Sequence, residues 1–132
     1  MTLQDVLQMV ARLLLSWMFL QSAYGHFTQV KPMAGYAKSN GVPLPEVAVV
    51  VTGFMLLAGG LSLLLGIHPR IGAADLFVFL VVVAFWMHGF WRVTDPMQRG
   101  FQRTQFWKNI TLAGAMLWII ANTSWPWPWA LG

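Results

Sequence analysis

Four long apolar runs, separated by shorter polar stretches, divide this chain of 132 residues. They cover about residues 6–27, 47–67, 71–91 and 106–124. About 20 consecutive apolar residues are enough for one helix to cross the hydrocarbon core of a membrane. The pattern therefore predicts an all-α integral membrane protein: a four-helix transmembrane bundle in up-down-up-down order that forms a single domain over residues 1–132.

The connection between the first two runs is the longest, and its pattern predicts a short interfacial helix. Residues 33–40 follow Pro32, and proline is favoured at the start of a helix. Gly41 comes directly after the segment and is expected to end it. Met33 and Tyr36 are expected to turn toward the bundle.

Composition agrees with a membrane location. Hydrophobic residues make up 58% of the chain and charged residues 9%, with a mean hydropathy of +0.62. A soluble domain carries about a quarter charged residues, so lipid is the expected surroundings. The net charge is +4, but the basic residues stand at the ends of the runs, where lipid headgroups explain them better than nucleic acid does. With no cysteine, the chain itself cannot carry thiolate catalysis or hold an iron–sulfur cluster through cysteine.

The distribution of basic residues predicts the orientation. If the chain crosses the membrane four times, Arg12 and Arg70 lie on the face that carries both termini. The other face carries the two long loops and six basic residues: Lys31, Lys38, Arg92, Arg99, Arg103 and Lys108. Cytoplasmic loops are enriched in lysine and arginine, so we expect the long loops in the cytoplasm and both termini outside.

Two charged residues fall inside the apolar runs near the same membrane face. Arg12 lies in the first two turns of the first run, and Asp75 lies one turn inside the third. Because an ion within a membrane normally has a partner, the sequence predicts a structural ion pair between Arg12 and Asp75.

The residues that could support chemistry meet at the opposite face, which the two long loops share. The topology brings the ends of the first and third runs beside the start of the fourth. The candidate ligand-binding residues there are His26, His88, Trp91, Arg92, Lys108 and Asn109. No metal-binding, nucleotide-binding or hydrolase motif is visible, and no residue is identified as catalytic.

This cluster has three interpretations. The favoured one is a hydrogen-bond network that closes the end of the bundle, since histidine and lysine are common near span ends. The second is contact with a ligand, for which a quinone is suitable: histidine can hydrogen-bond its carbonyl oxygens, lysine and arginine can stabilise an anionic group, and tryptophan suits a flat ring. The third is axial ligation of haem iron, which is weakest because the spacing of the histidines matches no haem motif.

The order and spacing of several segments resemble the DoxX family of small bacterial four-helix membrane proteins. The segments that carry the resemblance are RLLLSWMFLQSAYGHF from Arg12, the YAKSNGVPLP loop, TGFMLLAGGLSLLLG followed by Arg70, HGFW, and FWKN with LAGAML after it. The HGFW and FWKN segments carry His88, Trp91, Lys108 and Asn109 over from the family's pattern. The chain departs from many relatives in two places: Gly25-His26 stands where they have a lysine, and Met55 to Leu57 stand where they have a glutamate.

The resemblance implies an inner-membrane protein associated with quinone-linked or oxidative-stress redox systems. Members of the family often look like accessory subunits, so enzymatic activity in this chain itself is left open. Two alternatives remain: a non-catalytic assembly or anchoring subunit of a membrane complex or homo-oligomer, and a passage for a small lipophilic molecule. A cavity with a polar end among His26, His88 and Lys108 would favour a ligand, whereas a filled bundle would favour assembly.

Overall fold

The structure is a computed structural model that describes residues 1–122 and 126–132, and α-helices make up most of them. The helices are α1 (Leu3–Thr28), α2 (Val30–Ser39), α3 (Pro45–Leu65), α4 (Pro69–Met87) and α5 (Pro96–Asn122), with a 3-10 turn at Phe90–Arg92. No strand occurs in the two described ranges. The all-α prediction is confirmed.

Three helical segments in the described part of the chain are long and apolar enough to cross a membrane. They are Leu3–Thr28, Pro45–Leu65 and Pro69–Arg92. The fourth apolar run lies in α5, whose first ten residues are largely polar. The predicted end of that run, residues 123–124, lies outside the described residues, as does Trp125.

The helices begin earlier than the apolar runs because residues outside the runs start them. At the start of α1, the Thr2 hydroxyl accepts a hydrogen bond from the Asp5 amide at 3.1 Å, and the Asp5 carboxylate accepts one from the Thr2 amide at 2.8 Å. This reciprocal pair satisfies two amides that the helix leaves without partners. Pro45 and Pro69 begin α3 and α4, because a first-turn proline lacks only a donor that the helix does not use.

The short helix α2 exists, but its position differs from the prediction. It begins at Val30 rather than after Pro32, because proline is tolerated throughout a first helical turn. Its buried residues are Ala34 and Ala37, whereas Tyr36 is 44% exposed. The small alanines let α2 pack closely on α3, so it is a covering layer on the bundle.

The long helices pack in the sequence α1, α3, α4, α5, with the core between them. Close approach of α3 and α4 depends on glycine. A Cβ atom at Gly59 would overlap the fully buried side chain of Leu76, and a Cβ atom at Gly72 would overlap the side chain of Ser62. Small residues at a helix contact allow the backbones to approach, and this contact is one of the main sources of packing energy within a membrane.

We expect Gly59→Ala to lower the free energy of unfolding by about 1–3 kcal/mol, the usual cost of overpacking a filled core. Leu76 cannot yield easily, because it is surrounded on all sides. Thermal unfolding in detergent, followed by circular dichroism, would measure the loss. Gly114→Ala on α5 is the matched control, since a Cβ atom there meets nothing within 4 Å. A Gly59→Ala protein as stable as Gly114→Ala would contradict the tight α3–α4 contact.

Arg12 is buried, with only 5% of its surface exposed, and three of its hydrogen-bond partners are backbone carbonyls. Its Nε donates to the Leu63 carbonyl at 3.2 Å and its Nη2 to the Leu64 carbonyl at 2.7 Å, while Nη1 donates to the Pro128 carbonyl. These contacts hold the C-terminal end of α3 and the chain after α5. We call this end of the bundle the terminal end.

The predicted ion pair between Arg12 and Asp75 is not formed, because the guanidinium is directed to the end of α3. One carboxylate oxygen of Asp75, Oδ2, is buried without a hydrogen-bond partner among the described residues. It lies against Gly59 at the contact of α3 and α4. The carbonyls at the end of a helix lack intrahelical partners and carry partial negative charge, so they serve Arg12 in place of the carboxylate.

Candidate functional site

The other end of the bundle, which we call the loop end, is where α1 and α4 finish and α3 begins. A cavity of about 510 Å³ lies there, beneath α2. Its size is within the range of ligand pockets, about 300–1,000 Å³. Most of its walls are apolar: Phe19, Val49, Leu56, Phe79, Leu80 and Val83 are among them.

The polar residues of the cavity come from four helices and from the end of a fifth, and Tyr36 is the one on α2. His26 comes from α1, Thr52 from α3, Lys108 and Asn109 from α5, and His88 ends α4. Four of the six predicted ligand-binding residues thus share one cavity: His26, His88, Lys108 and Asn109. An apolar pocket with a few convergent polar groups is the usual form of a small-molecule site.

The other two predicted residues lie outside the cavity lining, in the 3-10 turn. Arg92 donates through Nη2 to the carbonyls of Phe85 and Trp86, at 3.1 and 2.8 Å, and so satisfies the end of α4. Trp91 packs at a steep angle on Phe85 and Phe106. Both residues therefore contact the helices around the cavity without lining it.

His26 has a defined tautomer. Its Nδ1 lies 2.8 Å from the carbonyl oxygen of Ser22, one turn earlier in α1. A carbonyl oxygen only accepts, so Nδ1 carries a proton, and in the neutral ring Nε2 then has a lone pair. His26 therefore offers the cavity a hydrogen-bond acceptor.

A chain of hydrogen bonds defines the tautomer of His88 in the same way. The Tyr36 hydroxyl donates to the Met87 carbonyl at 3.1 Å, so it must accept from the amide nitrogen of Gln102, which lies 3.0 Å away. The amide oxygen of Gln102 then faces Nδ1 of His88 at 2.8 Å, and this nitrogen must donate. Nε2 of His88 is therefore the second acceptor.

Lys108 and Asn109 add donors to the same cavity. The ammonium group of Lys108 donates to the amide oxygen of Gln105 at 2.7 Å, which leaves two of its three N–H bonds. Asn109 is 4% exposed and its amide nitrogen lies 3.4 Å from the Leu80 carbonyl, a long contact. The cavity thus combines acceptors on α1 and α4 with donors on α5.

Sequence reasoning missed Tyr36 and Gln102. The sequence pattern predicts only that Tyr36 turns toward the bundle and that Gln102 lies between two apolar runs, so neither is among the predicted site residues. The signal for Gln102 was available: Asp95 precedes Pro96, and an acid before a proline is typical of a helix start. Asp95 accepts a hydrogen bond from the Gln98 amide at 3.0 Å, and α5 consequently begins ten residues before the predicted run.

Comparison with known proteins identifies relatives over most of the chain. The DoxX family model matches residues 7–89. Inner membrane protein YqjF of Escherichia coli (strain K12) is 30% identical over 118 residues, which cover 87% of this chain and 82% of the relative. Inner membrane protein YphA of the same organism is 28% identical over 115 residues, covering 86% and 81%. No solved structure matches the chain significantly.

Proposed function

Because the chain belongs to the DoxX family and its relatives include inner membrane proteins, we propose that it is an inner-membrane subunit that binds a quinone in the cavity at the loop end. The observation that carries the proposal is the cavity itself. It is apolar along its walls, and two histidine acceptors and a lysine donor lie among its lining residues.

The residues fit a quinone ring in both of its redox forms. The carbonyl oxygens of the oxidised ring accept hydrogen bonds, which the free N–H bonds of Lys108 can supply. The hydroxyl groups of the reduced ring donate hydrogen bonds, which Nε2 of His26 and Nε2 of His88 can accept. A bound quinone would supply two-electron chemistry; the role of this chain is to hold the ring and exclude water from it.

The proposal includes a partner and an arrangement in the membrane. We propose that an oxidoreductase in the same membrane complex exchanges electrons with the bound ring. We also propose that α5 crosses the membrane as a fourth span and that the four long helices alternate in direction. Contacts of α1 with the end of α3, and of Asn109 on α5 with Leu80 on α4, support this arrangement. The excess of basic residues at the loop end supports a cytoplasmic location of that end.

The alternative functions from the sequence make different predictions for the same experiment. The protein is extracted gently from its own membrane and studied by native mass spectrometry, and the purified protein is then titrated with a short-chain quinone. We expect a bound mass that matches a quinone and saturable binding of one equivalent. Partner polypeptides or a homodimer without any small molecule, together with no saturable quinone binding, would overturn the proposal in favour of an assembly subunit.

A further inference from the structure

A second cavity lies at the terminal end, far from the proposed quinone site. Its volume is about 620 Å³, and it is lined by α1, α5, one residue of α3 and the chain after α5. α1 and α5 make few contacts with each other compared with the other neighbouring long helices. The cavity therefore lies in the gap between α1 and α5, the first and the last of the long helices in the packing order.

The lining of this cavity changes from polar to apolar along the helix axis. Gln4 and Gln8 lie on the first two turns of α1 and Arg12 on the next, whereas Leu15, Ala115 and Ile119 continue the lining. Arg12 contacts Leu63 and Leu64, where α3 ends. With a rise of about 1.5 Å per residue, the 21 residues of α3 match the thickness of the hydrocarbon core, about 30 Å. The end of α3 therefore marks the membrane boundary, and Gln4 and Gln8 reach the level of the lipid headgroups.

Arg12 brings a positive charge to this boundary. Among the described residues, the hydrogen-bond acceptors of Arg12 are three carbonyls and the Met9 sulfur, none of which has a formal charge. The guanidinium has five N–H bonds, and the four partners in the described part of the chain use all but one, on Nη2. The Trp127 ring lies 5.5 Å from the guanidinium carbon and covers its other side. Arginine donates strong, charge-assisted hydrogen bonds to phosphate oxygens, which every phospholipid headgroup carries.

We infer that this cavity is a binding site for one anionic phospholipid. Its phosphodiester group would lie beside Arg12, Gln4 and Gln8, where arginine and amide N–H donors suit phosphate oxygens. One acyl chain would follow Leu15 and Ile119 between α1 and α5. The site depends on neither the loop-end cavity nor the proposed quinone, and it assigns Arg12 a second role beside holding α3.

The test is lipid titration of the purified, delipidated protein by native mass spectrometry. Phosphatidylglycerol and phosphatidylcholine with identical acyl chains are compared, and glycerol 1-phosphate is added as the free headgroup. We expect one phosphatidylglycerol to be retained about fivefold more than phosphatidylcholine, as one basic residue at the surface provides. Glycerol 1-phosphate should not displace it, because the acyl chain contributes to binding.

Variants that fill the cavity distinguish it from the rest of the lipid-facing surface without removing Arg12. Ala11→Trp and Ala115→Leu place bulk on α1 and α5 within the lining, and both should lower phosphatidylglycerol retention to the level of phosphatidylcholine. Ala58→Trp, at an exposed position of α3 outside both cavities, is the control and should bind as the wild type does. Equal retention of the two lipids, displacement by glycerol 1-phosphate, or unchanged binding in both cavity variants would each overturn the inference.

Discussion

Replacing Arg12 with alanine is expected to lower the free energy of unfolding by about 2–4 kcal/mol, since hydrogen bonds to a charged group contribute about 1.5–3 kcal/mol and their loss leaves buried acceptors without partners. Arg12 satisfies the carbonyls of Leu63 and Leu64 and the carbonyl of Pro128 at once. The Arg12 side chain is only 5% exposed, so water does not easily replace it as the donor to these carbonyls. The end of α3 and the chain after α5 should therefore loosen together.

The neighbourhood of Arg12 leaves little room for another group to take over its contacts. Gly66 follows α3 with a φ of 69°, and a Cβ atom there would meet Ala130 and the Arg12 guanidinium. The Leu131 amide donates to the Leu65 carbonyl at 2.9 Å, so the end of the chain completes the same set of helix-end carbonyls. Arg12→Lys should recover only part of the stability, because an ammonium group cannot reach acceptors in the fork arrangement of a guanidinium.

Thermal unfolding in detergent and hydrogen exchange of the residues after α5 would measure this effect. Arg99→Ala is the matched control, because Arg99 is exposed on the second turn of α5. The Arg12 variants should exchange faster at 127–132, and Arg99→Ala should not differ from the wild type. If Arg12→Ala unfolds at the wild-type temperature, the carbonyl contacts are not what holds this end.

The hydrophobic pattern predicted the helical segments well, because a membrane requires every backbone polar group to be satisfied within a helix. The same pattern could not locate the helix ends, which depend on capping. Thr2 with Asp5 extends α1, and Asp95 starts α5 within a polar stretch. These capping signals can be recognised in the sequence, but helix boundaries that are set from the apolar runs alone do not include them.

Arg12 illustrates why contacts are harder to predict than helices. Sequence reasoning looked for a side chain of opposite charge and found Asp75 at a suitable depth. The structure instead gives Arg12 the carbonyl ends of α3, which any sequence of amino acids would provide at that position. Which of the two an arginine meets depends on helix rotation and on the small offset between neighbouring helices, neither of which the pattern determines.

The topology predicted which candidate residues lie at the same end of the bundle, but it could not predict which of them line the cavity. His26, His88, Lys108 and Asn109 lie at the same end because alternating helices return there, and the structure brings them to one cavity. Trp91 and Arg92 lie at the same level but outside the lining, since the turn at Phe90–Arg92 carries them away from the cavity. The position of a side chain around its helix, rather than its depth, decides whether it joins the site.

The second large effect is expected on quinone binding when the proposed acceptor, His88, and the proposed donor, Lys108, are both replaced. His88→Ala should weaken binding about tenfold and Lys108→Met by a similar factor, since each removes one hydrogen bond of about 1.5 kcal/mol. The double variant should therefore bind about a hundredfold more weakly, unless the two groups share one ring oxygen, in which case the losses will not add. Binding is measured by titration of the reduced form of a short-chain quinone into the purified protein, because only the reduced ring has hydroxyl groups that can donate to Nε2 of His88.

Matched controls exist for both substitutions within the chain. His68→Ala changes an exposed histidine at the terminal end, and Lys38→Met changes an exposed lysine of α2 outside the cavity lining. Both should bind the quinone as the wild type does. Ala48→Trp, which fills the cavity from α3 and removes none of its polar side chains, should abolish binding by exclusion.

The pattern across these variants separates a ring held by hydrogen bonds from one held only by apolar contact. If Ala48→Trp abolishes binding while the double variant binds like the wild type, the cavity accepts an apolar molecule and the polar residues only close the loop end. If none of the variants changes binding, the quinone is bound elsewhere and the proposed site is wrong. A loss in the double variant that neither control variant shows assigns the ring to the loop-end cavity, where His88 supplies an acceptor and Lys108 a donor from neighbouring helices.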